Sequence, residues 1–153
     1  MNRLLYLENC VSTQDEIINL INEDETTAVF TFNQTKGRGQ YGNKWEVIPN
    51  ENLAYSIGVI SNTISISGVC LNYYTAIIVR DFLDNMTNVS ACIKWPNDII
   101  LNGKRFVGSS SRKQKRTVTT ILLSVLELIS FKKILAICPK PAQSFLLQAS
   151  ILI

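Results

Sequence analysis

The chain has 153 residues, of which 46% are hydrophobic and 18% are charged, and its formal net charge is +3. This composition predicts one folded domain with a real core and excludes a disordered chain. The sequence contains no histidine, which excludes imidazole bases and histidine-bearing metal sites.

The four cysteines are far apart in the sequence and form no C-x-x-C pair: Cys10, Cys70, Cys92 and Cys138. No secretory signal precedes them, so we expect reduced thiols and a cytoplasmic location. The apolar run at residues 118–137 is interrupted by Glu127 and two lysines. It is too short and too charged for a membrane span, so no membrane partner is expected.

The first third of the chain predicts a strand, a helix and a second strand. Residues 3–10 form an apolar run of strand length, and Thr13 with Glu16 forms a capping box that starts an amphipathic helix. Residues 26–33 are rich in β-formers and lead into a glycine-rich segment.

That segment, residues 35–45, alternates three glycines with basic residues. Glycines expose backbone N–H groups, and the basic side chains add positive charge, so the pattern predicts a cradle for a phosphate or carboxylate. The spacing matches neither standard nucleotide-binding fingerprint. Taken alone, the segment is better interpreted as a solvated basic hairpin loop.

Residues 52–108 predict one helix and four strands. Residues 52–60 form a strand, and residues 67–86 form a core helix with apolar residues at helical spacing. The members of that apolar set are Val69, Leu71, Tyr74, Ile77, Ile78, Phe82 and Leu83.

Strands at residues 89–94 and 98–101 flank a bend at Pro96, and a hairpin turn at Asn102 and Gly103 leads into a strand at residues 104–108. The fold class is therefore α+β, with a mixed, largely antiparallel sheet.

Four ordered blocks resemble the catalytic domain of biotin protein ligases. They are S-T-Q from Ser12, Q-x-K-G-R-G-Q-x-G-x-x-W from Gln34, N-L-x-x-S from Asn52 and K-W-P-N-D from Lys94. The resemblance covers residues 1–108 and implies the class II aminoacyl-tRNA synthetase-like fold. It also implies ATP-dependent activation of biotin to biotinyl-5′-AMP, followed by transfer to a lysine of a biotin carboxyl carrier protein.

The same resemblance implies the roles of individual residues. Arg38, Lys94 and Asp98 are the expected catalytic residues, and Asp98 is also the candidate ligand for Mg²⁺, for a ribose or for a lysine amine. Biotin is expected to contact Ser12, Thr13, Gln14, Gln34, Arg38, Gly39 and Gln40. The nucleotide is expected to contact Lys36, Gly37, Trp45 and Asn97. Trp95 and Pro96 are interpreted as packing and turn residues, and Arg105 stands where relatives usually carry lysine.

The sequence after Gly108 departs from the family pattern. Residues 1–108 hold 8 basic and 11 acidic residues, whereas residues 109–153 hold 7 and 1. Read one base out of frame, residues 108–112, 124–129 and 137–142 permit G-I-L-V-E, G-V-G-I-N and L-P-K-A, in the family's order. We predict that residues 109–153 are a non-family basic and apolar tail produced by a frame slip, which sequencing of the encoding DNA would test.

Three further expectations follow from this interpretation of the tail. The domain is incomplete at its C-terminus, which would leave the strand at residues 104–108 as an exposed sheet edge and the ligase activity weak or absent. If the tail is instead a genuine element, residues 118–137 suit an amphipathic or buried helix. An inactive remnant and a lipoate protein ligase stay open as alternatives. No helix-turn-helix is present, so DNA is not an expected partner, and a homodimer is left open.

Overall fold

The structure is a computed structural model that describes residues 3–22, 25–38, 47–60, 66–115 and 120–128, with residues 112–115 and 120–128 described by their backbone. Its elements in chain order are β1 Arg3–Tyr6, α1 Thr13–Leu20, β2 Thr27–Thr31, β3 Leu53–Ile60, α2 Gly68–Met86, β4 Ala91–Lys94, β5 Asp98–Leu101, β6 Lys104–Lys115 and β7 Thr120–Leu128.

These seven strands form one sheet in the order β1-β2-β3-β7-β6-β5-β4. The β1–β2 pair is parallel, and every other pair is antiparallel. The predicted class, α+β with a mixed and largely antiparallel sheet, is confirmed.

Helix α2 covers one face of the sheet and helix α1 packs on the other. The main core lies under α2 and contains Ala28, Leu53, Tyr55, Ala76, Val79, Leu83, Met86, Ala91, Ile99, Leu101, Phe106 and Val107. Ile17 of α1 packs with Val29 on the opposite face. Residues alternate between faces along a strand, so Ala54, Ser56 and Gly58 of β3 share the α1 face.

The hairpin signal at Asn102 and Gly103 is confirmed. The φ angles of these residues are 49° and 71°, the left-handed values that a tight two-residue turn between antiparallel strands requires. The turn joins β5 to β6 and brings Gly108 of β6 alongside Asp98.

The predicted capping box at the start of α1 is wrong. Ser12, not Thr13, is the N-cap residue, and no side chain caps the helix. Thr13 is fully buried inside the first turn, where its hydroxyl is committed to residues from other elements. The Thr13 hydroxyl makes long-range hydrogen bonds with Gln34 and Ser56 in place of the predicted capping bond.

The face of α2 that packs on the sheet also differs from the predicted one. Val69 and Tyr74 are each 60% exposed, and Ile77 is exposed as well. The buried stripe contains Asn72, Ala76, Val79, Leu83 and Met86. Of the predicted set, Leu83 is buried as expected and Phe82 packs against the core, whereas the small Ala76 takes a buried position that the prediction did not include.

The segment after Gly108 continues the sheet, which corrects two expectations. Residues 104–108 are not an edge, because β6 lies between β5 and β7. Residues 120–128 form strand β7 and not a helix, because they pair along their length with both β3 and β6. Residues 129–137 of the predicted helix lie outside the described residues.

Candidate functional site

The start of the glycine-rich segment is fixed against the start of α1 by backbone hydrogen bonds. The N–H of Cys10 donates to the carbonyl of Asn33 over 3.2 Å. Thr35 and Lys36 then donate to the carbonyls of Cys10 and Val11 over 3.0 and 2.9 Å. The S-T-Q block and the first residues of the glycine segment are therefore neighbours.

A chain of buried polar side chains joins three of the four motif blocks. The backbone N–H and hydroxyl of Thr13 donate to Oε1 of Gln34 over 2.9 and 3.2 Å. The hydroxyl of Ser56 donates to the Thr13 hydroxyl over 2.8 Å. Ser12, Thr13, Gln34 and Ser56 are all buried, and the hydrogen bonds among Thr13, Gln34 and Ser56 hold these polar groups in place between α1 and the sheet.

Sequence reasoning did not assign a role to Ser56. Its signal was present, because Ser56 is the serine of the N-L-x-x-S block. The block does not reveal that this serine faces α1 and contacts Thr13, a residue 43 positions earlier. Gln14 is partly exposed in the first turn of α1.

Arg38 forms a two-pronged ion pair with Asp15 of α1. Its Nη2 lies 2.6 Å from Oδ2 and its Nη1 lies 3.3 Å from Oδ1 of the carboxylate. Asp15 is a site neighbour that sequence reasoning missed, since no pattern links residues 23 positions apart. Lys36 is exposed and Gly37 is buried, whereas Gly39, Gln40 and Trp45 lie outside the described residues.

The turn between β4 and β5 holds the second group of predicted residues. Lys94 and Asp98 are directly opposite each other across the two strands, which places their side chains on one face. Arg105 of β6 lies 3.4 Å from Asp98, so the arginine that replaces the usual lysine contacts the candidate catalytic carboxylate. Lys94 is exposed.

Asn97 anchors this turn to β6. Its side-chain amide donates to the carbonyl of Ser109 over 2.6 Å, and its own carbonyl accepts from the Ser109 N–H over 2.9 Å. Trp95 is 57% exposed and packs edge-on against Tyr73, with 4.9 Å between the ring centres. Pro96 follows a cis peptide bond in the turn.

One row of paired residues runs across the sheet between these two groups. Thr31 pairs with Ala54, and the pairing continues stepwise through Glu127, Gly108, Asp98 and Lys94. The segment after β2 and the turn between β4 and β5 therefore leave the same end of the sheet. Since Ala54 lies on the α1 face, Asp98 and Lys94 share that face with Ser56 and Thr13.

The row also gives the scale of the site. Asp98 lies four strands from Thr31, which corresponds to about 20 Å across a flat sheet. The two groups therefore suit the two ends of an extended ligand. The structure thus brings Ser12, Thr13, Gln34 and Arg38 into one group, and Lys94, Asn97 and Asp98 into another at the same sheet end.

The described residues contain neither a metal cluster nor a membrane-spanning helix. Among them, no three histidine, cysteine or acidic residues cluster as a metal site. No described helix is long and apolar enough to cross a membrane. Cys10, Cys70 and Cys92 are free thiols, and Cys138 lies outside the described part of the chain. Burial, and secondarily the nearby Glu16 carboxylate, raises the pKa of the Cys10 thiol to about 11.

Residues 8–128 match the family model described as the Biotin/lipoate A/B protein ligase family. The chain is 29% identical over 113 residues to the bifunctional ligase/repressor BirA of Bacillus subtilis. The match covers 72% of this chain but 35% of the relative. The chain therefore spans about a third of that protein's length.

Two solved structures show the same fold. The biotin protein ligase of Aquifex aeolicus, in complex with biotin and ATP, gives a TM-score of 0.71 at 22% identity and covers 97% of this chain and 67% of its own. A putative lipoate protein ligase of T. acidophilum, with bound lipoic acid, gives a TM-score of 0.69 at 9% identity. The match covers 99% of this chain and 83% of that protein.

Proposed function

Because the chain belongs to the biotin/lipoate A/B protein ligase family, we propose that it carries the biotin and ATP site of a biotin protein ligase. The reaction joins the carboxylate of biotin to the α-phosphate of ATP, with pyrophosphate as the leaving group. The resulting biotinyl-5′-AMP then donates biotin to a lysine of a carrier protein. Both reactants are anions, so the site must neutralise charge where they meet.

The group around α1 suits the biotin end of this ligand. Buried hydroxyls and an amide can donate to and accept from a polar heterocycle, and the apolar layer around them suits its hydrocarbon part. We assign this role to Ser12, Thr13, Gln14 and Gln34. The same proposal gives Gly39 and Gln40 biotin contacts.

The turn between β4 and β5 suits the nucleotide end. Lys94 can neutralise phosphate, and Asn97 is held in place by its two contacts with Ser109. Lys36, Gly37 and Trp45 of the glycine segment complete the proposed nucleotide contacts. Arg38 would lie between the two ends and hold the anionic oxygens of either reactant.

Asp98 is the residue of this group that fits a magnesium ion. Mg²⁺ is usually held by one or two carboxylates together with substrate phosphates, and it retains several waters. The side chain of Asp98 is 16% exposed and its carboxylate lies 3.4 Å from Arg105. A single carboxylate fits that pattern of binding, in which the ion supplies charge neutralisation at the phosphates.

The observation that carries the proposal is the row of paired residues from Thr31 to Lys94. It aligns the two motif groups at one end and on one face of the sheet, at a spacing that suits an elongated adenylated vitamin and not a small single-site ligand. Either group taken alone would suit a small ligand as well as an elongated one.

The experiment is a calorimetric titration of the full chain with biotin and with Mg-ATP. We expect Arg38→Ala to weaken both ligands about tenfold or more, the loss typical of a charged hydrogen-bonding group. Asp98→Asn should weaken Mg-ATP and leave biotin unchanged. Arg80→Ala, on helix α2, is the matched control. Wild-type affinity for both ligands in Arg38→Ala would contradict the proposal.

The catalytic competence of the chain is a separate proposal. We infer that residues 109–153 come from a frame slip and that the chain as written has weak or no ligase activity. Strand β6 continues through Gly108, and the family match extends to residue 128, so the change of frame need not remove the ligand site. Biotin-dependent exchange of pyrophosphate into ATP at the rate of an intact ligase would contradict this.

A lipoate protein ligase is the second candidate. Its support is the similar fold of the T. acidophilum protein that holds lipoic acid. The two candidates are separated by titration with biotin and with lipoate under identical conditions. Binding of lipoate alone would favour the second candidate, and binding of neither would favour an inactive remnant.

A further inference from the structure

The ion pair between Arg38 and Asp15 occupies the main anion-binding group of the proposed site. Both terminal nitrogens of the guanidinium donate to the carboxylate, at 3.3 and 2.6 Å. Arginine holds a ligand carboxylate or phosphate in this same two-pronged way. In the ligand-free protein, an internal carboxylate therefore takes the place for which a ligand anion would compete.

The fold holds the two partners beside each other. Asp15 lies in the first turn of α1, where the positive end of the helix dipole favours a negative charge. Arg38 follows Lys36, whose backbone is fixed to the carbonyl of Val11. The ion pair thus follows from the backbone contact between the start of the glycine segment and the start of α1. Arg38 is held close to Asp15 by its position in the chain.

The pair is open to solvent, which makes it displaceable. The side chains of Arg38 and Asp15 are 55% and 38% exposed, so water and salt screen their attraction. An incoming anion that brings several negatively charged oxygens could replace the single carboxylate. A buried pair would resist this exchange far more strongly.

We propose that Asp15 is an internal competitor for Arg38 and that biotin or ATP must displace its carboxylate in order to bind. Asp15 then lowers the affinity of the site for ligand anions. The inference rests on the proposed function, since it concerns the regulation of the same site. It gives a role in ligand binding to a residue whose side chain pairs with Arg38.

The test is a titration of the full chain with Mg-ATP and with biotin, for wild type, Asp15→Asn and Asp15→Glu. Asparagine keeps the shape of the side chain but removes its charge. We expect Asp15→Asn to bind each ligand about two- to fivefold more tightly at low salt. The gain should shrink as salt rises, because screening already weakens the wild-type ion pair. Asp15→Glu keeps the charge and should retain wild-type affinity.

Asp81→Asn is the matched control, because Asp81 forms an exposed ion pair with Arg80 on helix α2. It should leave both affinities unchanged. Circular dichroism and the melting temperature establish that each variant is folded, and Asp15→Ser provides a second charge-removing variant.

Unchanged or weaker binding in the folded Asp15→Asn and Asp15→Ser variants, with measurable wild-type binding, would overturn the competitor role and leave the proposed function intact. Absence of binding to both ligands in wild type and all variants would instead overturn the proposed function, and the inference with it. The two failures are therefore distinguishable.

Discussion

At the scale of single residues, the side chains that organise the site are the ones whose partners are distant in sequence. The contacts of Thr13 with Gln34 and Ser56 span 21 and 43 positions. The motif blocks identified most of these residues, because each block is a recognisable short sequence. The blocks could not show which side chain donates a hydrogen bond to which, since that depends on how the strands are paired.

We predict that Ser56→Ala lowers the free energy of unfolding by about 1–2 kcal/mol, because it removes the donor to a buried hydroxyl. Denaturant titration followed by fluorescence would measure the change. Ser90→Ala removes the hydroxyl of an exposed serine and should have almost no effect. An equal change in the two variants would contradict the role given to the Ser56 hydrogen bond.

Cys10 gives a prediction about pH. Burial raises the pKa of its thiol to about 11, so the thiol stays protonated in the folded protein at pH values where it would ionise in the unfolded chain. Its contribution to stability is therefore complete below about pH 9 and is lost as the pH rises toward 11. At pH 8, iodoacetamide should modify exposed Cys70 and Cys92 well before Cys10, as measured by peptide mass spectrometry. Equal rates would contradict the burial of Cys10.

At the scale of elements, existence and type were predictable as far as residue 108, whereas strand β7 and the contact faces were not. Apolar runs and the Asn102–Gly103 turn signal indicated the strands and the hairpin, because these patterns act locally. The buried face of α2 was misjudged because the small Ala76 is buried in the core while the bulkier Tyr74 is exposed. The edge assigned to residues 104–108 was wrong because β7, from the segment interpreted as a non-family tail, pairs with β6.

Gly58 gives a prediction at this scale. A Cβ at this position would lie 2.7 Å from Cδ1 of Ile21 and 3.2 Å from Cδ1 of Ile17. Gly58→Ala should therefore push α1 away from β3 and destabilise the fold by about 1–2 kcal/mol. Gly68→Ala, where a Cβ would have no heavy atom within 4 Å, is the control for thermal unfolding. A lower melting temperature in Gly68→Ala than in Gly58→Ala would contradict the packing argument.

At the scale of the whole molecule, the sheet brings motifs that are separate in sequence to one candidate site. The blocks at Ser12, Gln34 and Lys94 are distant in sequence, and their order alone suggested a family but not a distance. Backbone contacts place the first two blocks beside each other, and the strand register places the third at the same sheet end, with Asp98 about 20 Å from Thr31. That spacing depends on β7, whose insertion between β3 and β6 no local pattern indicated.

Hydrogen exchange of the full chain with and without a non-hydrolysable biotinyl-adenylate tests the central claim most directly. One bound ligand should protect the amides of residues 34–38 and of residues 94–98 together, with the same concentration dependence. Residues 80–86 at the end of α2 should exchange unchanged. Protection of only one of the two segments at saturation would contradict a shared site.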